Sequence, residues 1–367
     1  MPALVVIACN RPESLRRLLR ALGRCHYPPG RDIPLVVSVD GHERAAESIA
    51  VAEELRWPHG DKRLLLRDEL LGLKEHFLHC GDLVHDHGEI VLLEDDLYVS
   101  PCFYDFAVAA LEQYAGDPRI GGLSLYSFGF NEGGETPFAA IDDGGDVYFL
   151  QSAGSWGQVW TRDQWSGFRS WLDSRGPVGS SALIPREMDR WPASSWKRLL
   201  NVYLAEQGKY FVVPRHGLST NLGEPGVHVS RIITYLSAPL SWGPRDWRLP
   251  PLEDSWCRYD AFFQLEPRSL LARSAVPLPD DLALDLYGQR DLDSLANEWV
   301  ITCRHWRDGA AERSFGIRLF PFEVNLIEGI AGESYGLVRR RDALPDLREA
   351  ALRKMRTFFV PWWQITR

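Results

Sequence analysis

Three largely apolar runs constrain this chain most: ALVVIAC at residues 3–9, PLVVSV at 34–39 and IVLL at 90–93. Each has strand length and none alternates apolar with polar residues, so each predicts a strand buried on both faces. The text between them is helical. In RPESLRRLLRAL, Leu15, Leu18, Leu19 and Leu22 recur at i, i+3, i+4 and i+7, the spacing of one helical face. ERAAESIAVAEEL predicts a second helix, KRLLLR a short strand, and the stretch from about Leu73 to Val84 a third helix. Phe103, Phe106, Ala107, Ala110, Leu111 and Tyr114 mark a further helix, and GGLSLYS (121–127) a further strand. Such alternation predicts an α/β fold, Rossmann-like, with a mostly parallel central sheet and flanking helices. Ligands of these sheets bind beyond the carboxyl ends of the strands. Asn10, Arg11, Asp40 and the triplet Glu94-Asp95-Asp96 all fall at that edge.

From about residue 130 the regularity decays into Gly-rich loops (NEGGETPF, IDDGGD) and the Trp-rich stretch QSAGSWGQVWTRDQW, with a helix-like region near 196–207. Pro- and Trp-rich text beyond about 240 predicts a connector into a smaller C-terminal region. The expected division is a ligand-binding catalytic domain over 1–240 and an accessory region over 241–367. At 367 residues the chain is long enough for one large or two modest domains. A net charge of −9 argues against nucleic acid as a partner. Six widely spaced cysteines without a CxxC pair suit a reducing cytoplasm and supply no structural zinc site. PALVVIAC is too short to span a membrane and lacks the basic flank of a signal peptide, so a cytoplasmic location is expected. The final REAALRKMRTFFVPWW mixes basic and aromatic residues. It reads either as a helix lying on the inner face of the membrane or as a terminal helix packed on its own domain or on a second subunit, as in a homo-oligomer.

Carboxylates at a strand end suit a hard divalent cation, Mn2+ or Mg2+, which takes oxygen ligands and keeps positions open for water and a diphosphate. The other reading of Glu94-Asp95-Asp96 is a solvated turn. Asp40, in VVSVDGHE, can accept the imide N–H of a uracil ring or can cap the helix that follows. Arg11 can hold a phosphate or nucleobase, or sit in a solvated loop. GxGxxG and P-loop motifs are absent, which argues against a dinucleotide cofactor and P-loop phosphoryl transfer, and no GxSxG or HExxH is present.

These segments together resemble the GT-A-fold glycosyltransferases, and most the N-acetylglucosaminyltransferase I group and related bacterial enzymes of surface-polysaccharide clusters. The resemblance runs from about residue 3 to 230 through VVIACNRP, VVSVDGHE, VLLEDDLYVSPCFYDF, SAGSWGQVWTRDQW and TNLGEPGVH, in family order. It implies a manganese-dependent, inverting transfer of a hexose or N-acetylhexosamine from a UDP-sugar donor to a glycan or lipid-linked acceptor. It further implies that Asp96 ligates the metal, with Glu94 and Asp95 at the ribose and donor sugar. Asp40 would read uracil, Arg11 contact the nucleotide, Trp156 line the sugar pocket and His228 approach the nucleotide or metal. For Trp156 the alternative is a core aromatic, and for His228 a structural histidine.

One departure stands out. Where the related enzymes carry a Trp-Asp pair with the aspartate as general base, this chain reads Trp196-Lys197. A protonated lysine is a poor base. Another carboxylate (Glu224, Asp189 or Glu187) takes the role, or the stereochemical course differs, or the protein binds a sugar nucleotide without turning it over. A sugar-phosphate nucleotidyltransferase shares the layout but would show a Gly-rich, Arg-containing signature that ACNRPESL lacks.

Overall fold

In the computed structural model, which describes residues 1–192, 194–224 and 236–360, the apolar runs form the strands expected of them. β1 (Ala3–Ala8), β2 (Leu35–Val39), β3 (Lys62–Leu66) and β4 (Glu89–Glu94) alternate with α1 (Pro12–Leu22), α2 (Ala45–Glu54) and α3 (Leu73–Asp82). A short β5 (Leu97–Val99) then precedes α4 (Phe103–Tyr114) and β6 (Ile120–Ser124). Proline at the first turn of α1 costs no hydrogen bond, and Leu15, Leu18, Leu19 and Leu22 are buried as their spacing requires.

The Gly- and Trp-rich half, where no regular pattern was visible, contains further elements. β7 (Val147–Leu150), β8 (Gln158–Thr161), β9 (Tyr210–Pro214) and β10 (Ser219–Asn221) are joined by α5 (Arg162–Arg175) and α6 (Trp196–Glu206). Thr161 and Gln164 start α5 with a reciprocal capping box. The main sheet runs β7-β9-β6-β8-β4-β1-β2-β3. β1 is parallel to β2 and β4, β2 to β3, and β9 to β6. β8 lies antiparallel between β4 and β6, and β7 antiparallel to β9. Helix α1 packs on α2 and β5, α3 on β1 and β4, and α5 on α6 and β6. The mostly parallel α/β sheet with flanking helices is therefore present, and β8 makes it mixed.

The chain divides into two compact units that interleave along the sequence. The first comprises Met1–Phe128, Gly144–Val178 and Pro192–Leu252, and the second Gly129–Asp143, Gly179–Trp191 and Glu253–Arg367. The first holds the main sheet. The second holds a smaller sheet of β11 (Leu282–Asp285), β12 (Trp299–Thr302), β13 (Arg313–Phe315) and β14 (Tyr335–Arg339), ordered β11-β12-β14-β13. Arg304 is buried beside Asp285 there, donating Nε–H to its carboxylate at 2.8 Å. Its remaining donors reach the carbonyls of Gly288, Arg290 and Pro345, so the buried charge is fully engaged. The last helix, α7 (Glu349–Arg356), buries Ala351, Leu352 and Met355 within this unit. Phe358 follows it and packs on Phe320 and Phe322. The described part of the terminal segment thus packs on its own unit. No helix among the described residues is long and apolar enough to cross a membrane.

Candidate active site

β1, β2 and β4 run parallel side by side, so the residues after them meet at one edge. The triplet turns there: Glu94 ends β4, Asp95 and Asp96 form the turn, and β5 leaves antiparallel to β10. Arg11, just before α1, reaches across to it. One guanidinium nitrogen donates to Asp95 Oδ1 and the other to Asp96 Oδ2, the latter at 2.8 Å. Burial opposes the Arg11 charge, but Asp95 and Asp96 outweigh it and keep the group protonated. Burial pushes the Glu94 carboxyl up to about 8, helped by Asp96 and opposed by Arg11 and Lys197. Burial also lifts Asp95, to about 6, against the pull of Arg11. Both shifts come first from burial, which disfavours the charged form.

Asp96 Oδ1 is buried and accepts no hydrogen bond. An anionic oxygen without a donor, beside two more carboxylates, fits a hard cation. Among the described residues no three His, Cys, Asp or Glu side chains converge as a complete ligand set. The residues present therefore suit a cation that takes its other ligands from water and a bound diphosphate.

Asp40 lies at the neighbouring strand end, 3% exposed. Its Oδ1 accepts from the backbone N–H of Gly41 (3.0 Å) and Leu71 (2.9 Å), and its Oδ2 from Gly72 (3.0 Å). The helix-capping reading is thereby corrected. The N-cap position of α2 belongs to Arg44, and Asp40 instead ties β2 to the turn at 69–72. Oδ2 retains an acceptor position, as a base N–H would need.

The far wall comes from the Trp-rich segment and α6. Trp156 is 9% exposed and packs on Tyr126 at 4.5 Å between centroids. Asn201 of α6 accepts from the Ala153 N–H at 2.9 Å, which fastens the loop before Trp156 to that helix. Trp196 stacks on Phe77 of α3 (3.9 Å, 10° between planes), and this sets where Lys197 points. Lys197 is buried with Nζ 5.0 Å from the centre of the Trp156 ring, and its charge acts on Glu94. Arg11, Glu94, Asp95, Asp96, Lys197 and Trp156 are thus linked in one neighbourhood.

Of the other candidates, Glu224 is near enough for the Arg11 charge to act on it. Glu224 accepts from both terminal nitrogens of Arg17 (2.9 and 2.6 Å) and from the Ser14 hydroxyl (2.7 Å). The Arg17 hydrogen bond holds its carboxyl below the usual range despite partial burial. Asp189 and Glu187 belong to the second unit, where Asp189 accepts from the Ser180 hydroxyl and the Ser181 N–H. His228 lies outside the described residues. Ser14 and Arg17, which hold Glu224, stand in the first turns of α1 after Arg11, and that placement is the one signal the sequence carries for them.

Fold and site define a mixed α/β protein with an acidic strand-end site. The chain is similar to a curated alpha-1,3-mannosyl-glycoprotein 2-beta-N-acetylglucosaminyltransferase of Arabidopsis thaliana, 23% identical over 344 residues, 88% of this chain and 72% of that protein. That similarity bears out the resemblance read from the motifs. No family model matches. Among solved structures, S. aureus TarS 1-349 in complex with UDP-GlcNAc matches with a TM-score of 0.40 and 12% identity over 62% of this chain and 60% of its own. Mannosyltransferase PcManGT from Pyrobaculum calidifontis, in complex with GDP-Man and Mn2+, matches with a TM-score of 0.39 and 14% identity over 62% of this chain. The chain spans 59% of that structure's length.

Proposed function

We propose that this protein transfers a hexose or N-acetylhexosamine from a UDP-sugar to a glycan or lipid-linked acceptor, with inversion and with Mn2+ or Mg2+. The observation that carries the reading is the strand-end carboxylate cluster, whose Asp96 Oδ1 is buried without a partner. Asp96 would hold the cation, supported by Glu94 and Asp95, and the cation would offset charge on the diphosphate. Asp40, fixed by three backbone donors, would accept the uracil imide N–H. Arg11 would exchange part of its contact with Asp95 and Asp96 for the nucleotide. Trp156 would offer a flat wall to the sugar, and His228 would approach the nucleotide or metal. The acceptor hydroxyl oxygen would attack the anomeric carbon as the bond to the diphosphate oxygen breaks. UDP leaves with that electron pair, and the hydroxyl proton passes to a base.

For the base, Glu224, Asp189 and Lys197 are the candidates. A Glu224 carboxylate engaged by Arg17 and Ser14 is a weak proton acceptor until that contact opens. Residues 1–240 would carry this chemistry and 241–367 the acceptor, subunit or peripheral membrane contacts. Lys197 favours a second reading, since a buried cation at the expected base position also suits a partner that binds a sugar nucleotide without turnover.

Calorimetric titration with UDP, with and without Mn2+, tests the site. Mn2+ should tighten UDP binding to wild type, and Asp96→Asn should weaken that enhancement by at least about tenfold. No Mn2+ effect on the wild type sinks the metal assignment. Release of UDP from a donor panel separates the two readings. Silence with every donor, beside glycan acceptors, favours the binding partner. Parallel assays of Glu224→Gln, Asp189→Asn and Lys197→Ala assign the base, and a variant that keeps full turnover is removed from contention.

A further inference from the structure

The face of α1 turned away from the core lines an open pocket of about 320 Å3, bounded by Glu13, Arg16, Arg17, Arg20, Arg24 and Tyr98. On a chain of net charge −9, Arg16, Arg17 and Arg20 on α1 with Arg24 just past its end are a local reversal of sign. Two of them are held in place. Arg16 donates to Glu54 at 2.7 Å, and Arg17 is clamped on Glu224. Arg20 and Arg24 are exposed, and neither pairs with a carboxylate among the described residues. Two unpaired guanidinium groups on a preset frame suit carboxylate or phosphate oxygens.

The pocket adjoins the acidic site. Tyr98 stands two residues beyond Asp96, and Arg11 begins the same helix. At about 1.5 Å of rise per residue, Arg17 and Arg20 lie roughly 9 and 14 Å from Arg11 along that axis, and Arg24 follows just past its end. Tyr98 lies nearly parallel to Trp242, with 6.3 Å between ring centres and 8° between planes, and Trp242 is 59% exposed. Flat aromatic faces beside charged donors suit the C–H face of a sugar ring that also carries an anion. A membrane surface fits less well, because the apolar residues of α1 (Leu15, Leu18, Leu19 and Leu22) are all turned into the core.

We propose that this arginine and aromatic track binds an acidic glycan, a sugar chain bearing carboxylate or phosphate groups, and so guides the acceptor to the strand-end site. The proposal rests on the transferase reading for its direction of use; the binding itself does not need it.

The test is titration of wild type and the Arg20→Gln/Arg24→Gln double variant with tetragalacturonate, phosphorylated maltotetraose, neutral maltotetraose and inorganic phosphate. UDP with Mn2+ is measured in parallel. An acidic tetrasaccharide should bind wild type at least about tenfold more tightly than the neutral one, and the double variant should lose most of that preference. The preference should also shrink with added salt. Whichever acidic chain binds better identifies the anion. The proposal is overturned by equal binding of neutral and acidic chains, by a preference that survives in the double variant, or by inorganic phosphate binding as tightly as the chain. Arg20- and Arg24-dependent sedimentation with phosphatidylglycerol vesicles, without tetrasaccharide binding, overturns it in favour of a membrane. UDP binding should be unchanged in the double variant. Loss of UDP binding in the wild type itself counts against the transferase reading and leaves the glycan preference to be judged on its own arms.

Discussion

At the scale of single residues, Asp40 ties the end of β2 to the residues after β3, at the edge where the site is proposed. It accepts three backbone hydrogen bonds while almost completely buried. Asp40→Ala would leave those donors without an acceptor, and buried orphaned donors cost about 1–3 kcal/mol each before relaxation. A loss of roughly 2–4 kcal/mol in urea denaturation is expected, together with weaker UDP binding. An unchanged midpoint would show that the turn at 69–72 holds without Asp40. Behind it, burial lowers the His76 imidazole to about 4, only partly opposed by Asp40, and its Nε2 lies 2.8 Å from the Ser38 hydroxyl. The folded state therefore resists a proton that the unfolded chain accepts near 6.5. Stability from this group is whole above that pH and is lost as pH falls towards about 4. Glu94 and Asp95, whose carboxyls are raised, act in the opposite sense over this range, so the imidazole is read as a difference: the stability of wild type relative to His76→Gln should decline by about 3 kcal/mol between pH 7 and 4. An equal decline in the variant would assign the effect to other groups. Asp40 and the acidic triplet were legible because a charge that ends an apolar run stands out. Their partners were not, since Leu71 and Gly72 lie some thirty residues from Asp40 and nothing local marks them.

Among the elements, legibility followed length and periodicity. α1 carries four leucines on one face, and β1, β2 and β4 are largely apolar without alternation, so each declares its type. VYFL, QVWT and YFVVP have only four or five residues each, among glycines and tryptophans that suggest loops. They become strands because neighbours across the sheet pair with them, a tertiary effect that local pattern does not contain. The packing of α3 on α5 is similar. Gly81 looks ill-suited to a helix, yet a Cβ there would lie 2.0 Å from the Trp165 indole, which is fully buried and donates to Asp82 at 2.7 Å. The glycine exists for that close approach. Gly81→Ala should therefore destabilise by about 1–3 kcal/mol, opposite to the gain alanine brings inside an exposed helix. A stabilised variant in chemical denaturation would mean that Trp165 moves aside at no cost.

For the whole molecule, the sequence suggested a smaller region after about residue 240, but not that the units exchange segments along the chain. Residues 129–143 and 179–191 interrupt the first unit and belong to the second. Inside that unit Phe138 packs edge-on against Tyr259 and Phe263, and the Tyr259 hydroxyl accepts from the Ile141 N–H at 2.9 Å. The Ser255 hydroxyl donates to Asp143 at 2.7 Å. Every one of these partners lies beyond Leu252. A chain cut after Leu252 would keep Phe138 and Ile141, 3% and 7% exposed in the full protein, while losing what covers them. Newly exposed aromatic and aliphatic surface promotes association. The truncated chain should consequently bind a hydrophobic dye, elute as aggregates and melt without a sharp transition, even though the strands that bear Asp40 and Asp96 are all retained. Adding back the separate fragment 253–360 should reduce dye binding if the interruption is the cause. A monomeric truncated chain with a cooperative melt and full UDP affinity would instead show that residues 129–143 and 179–191 fold without the rest of their unit.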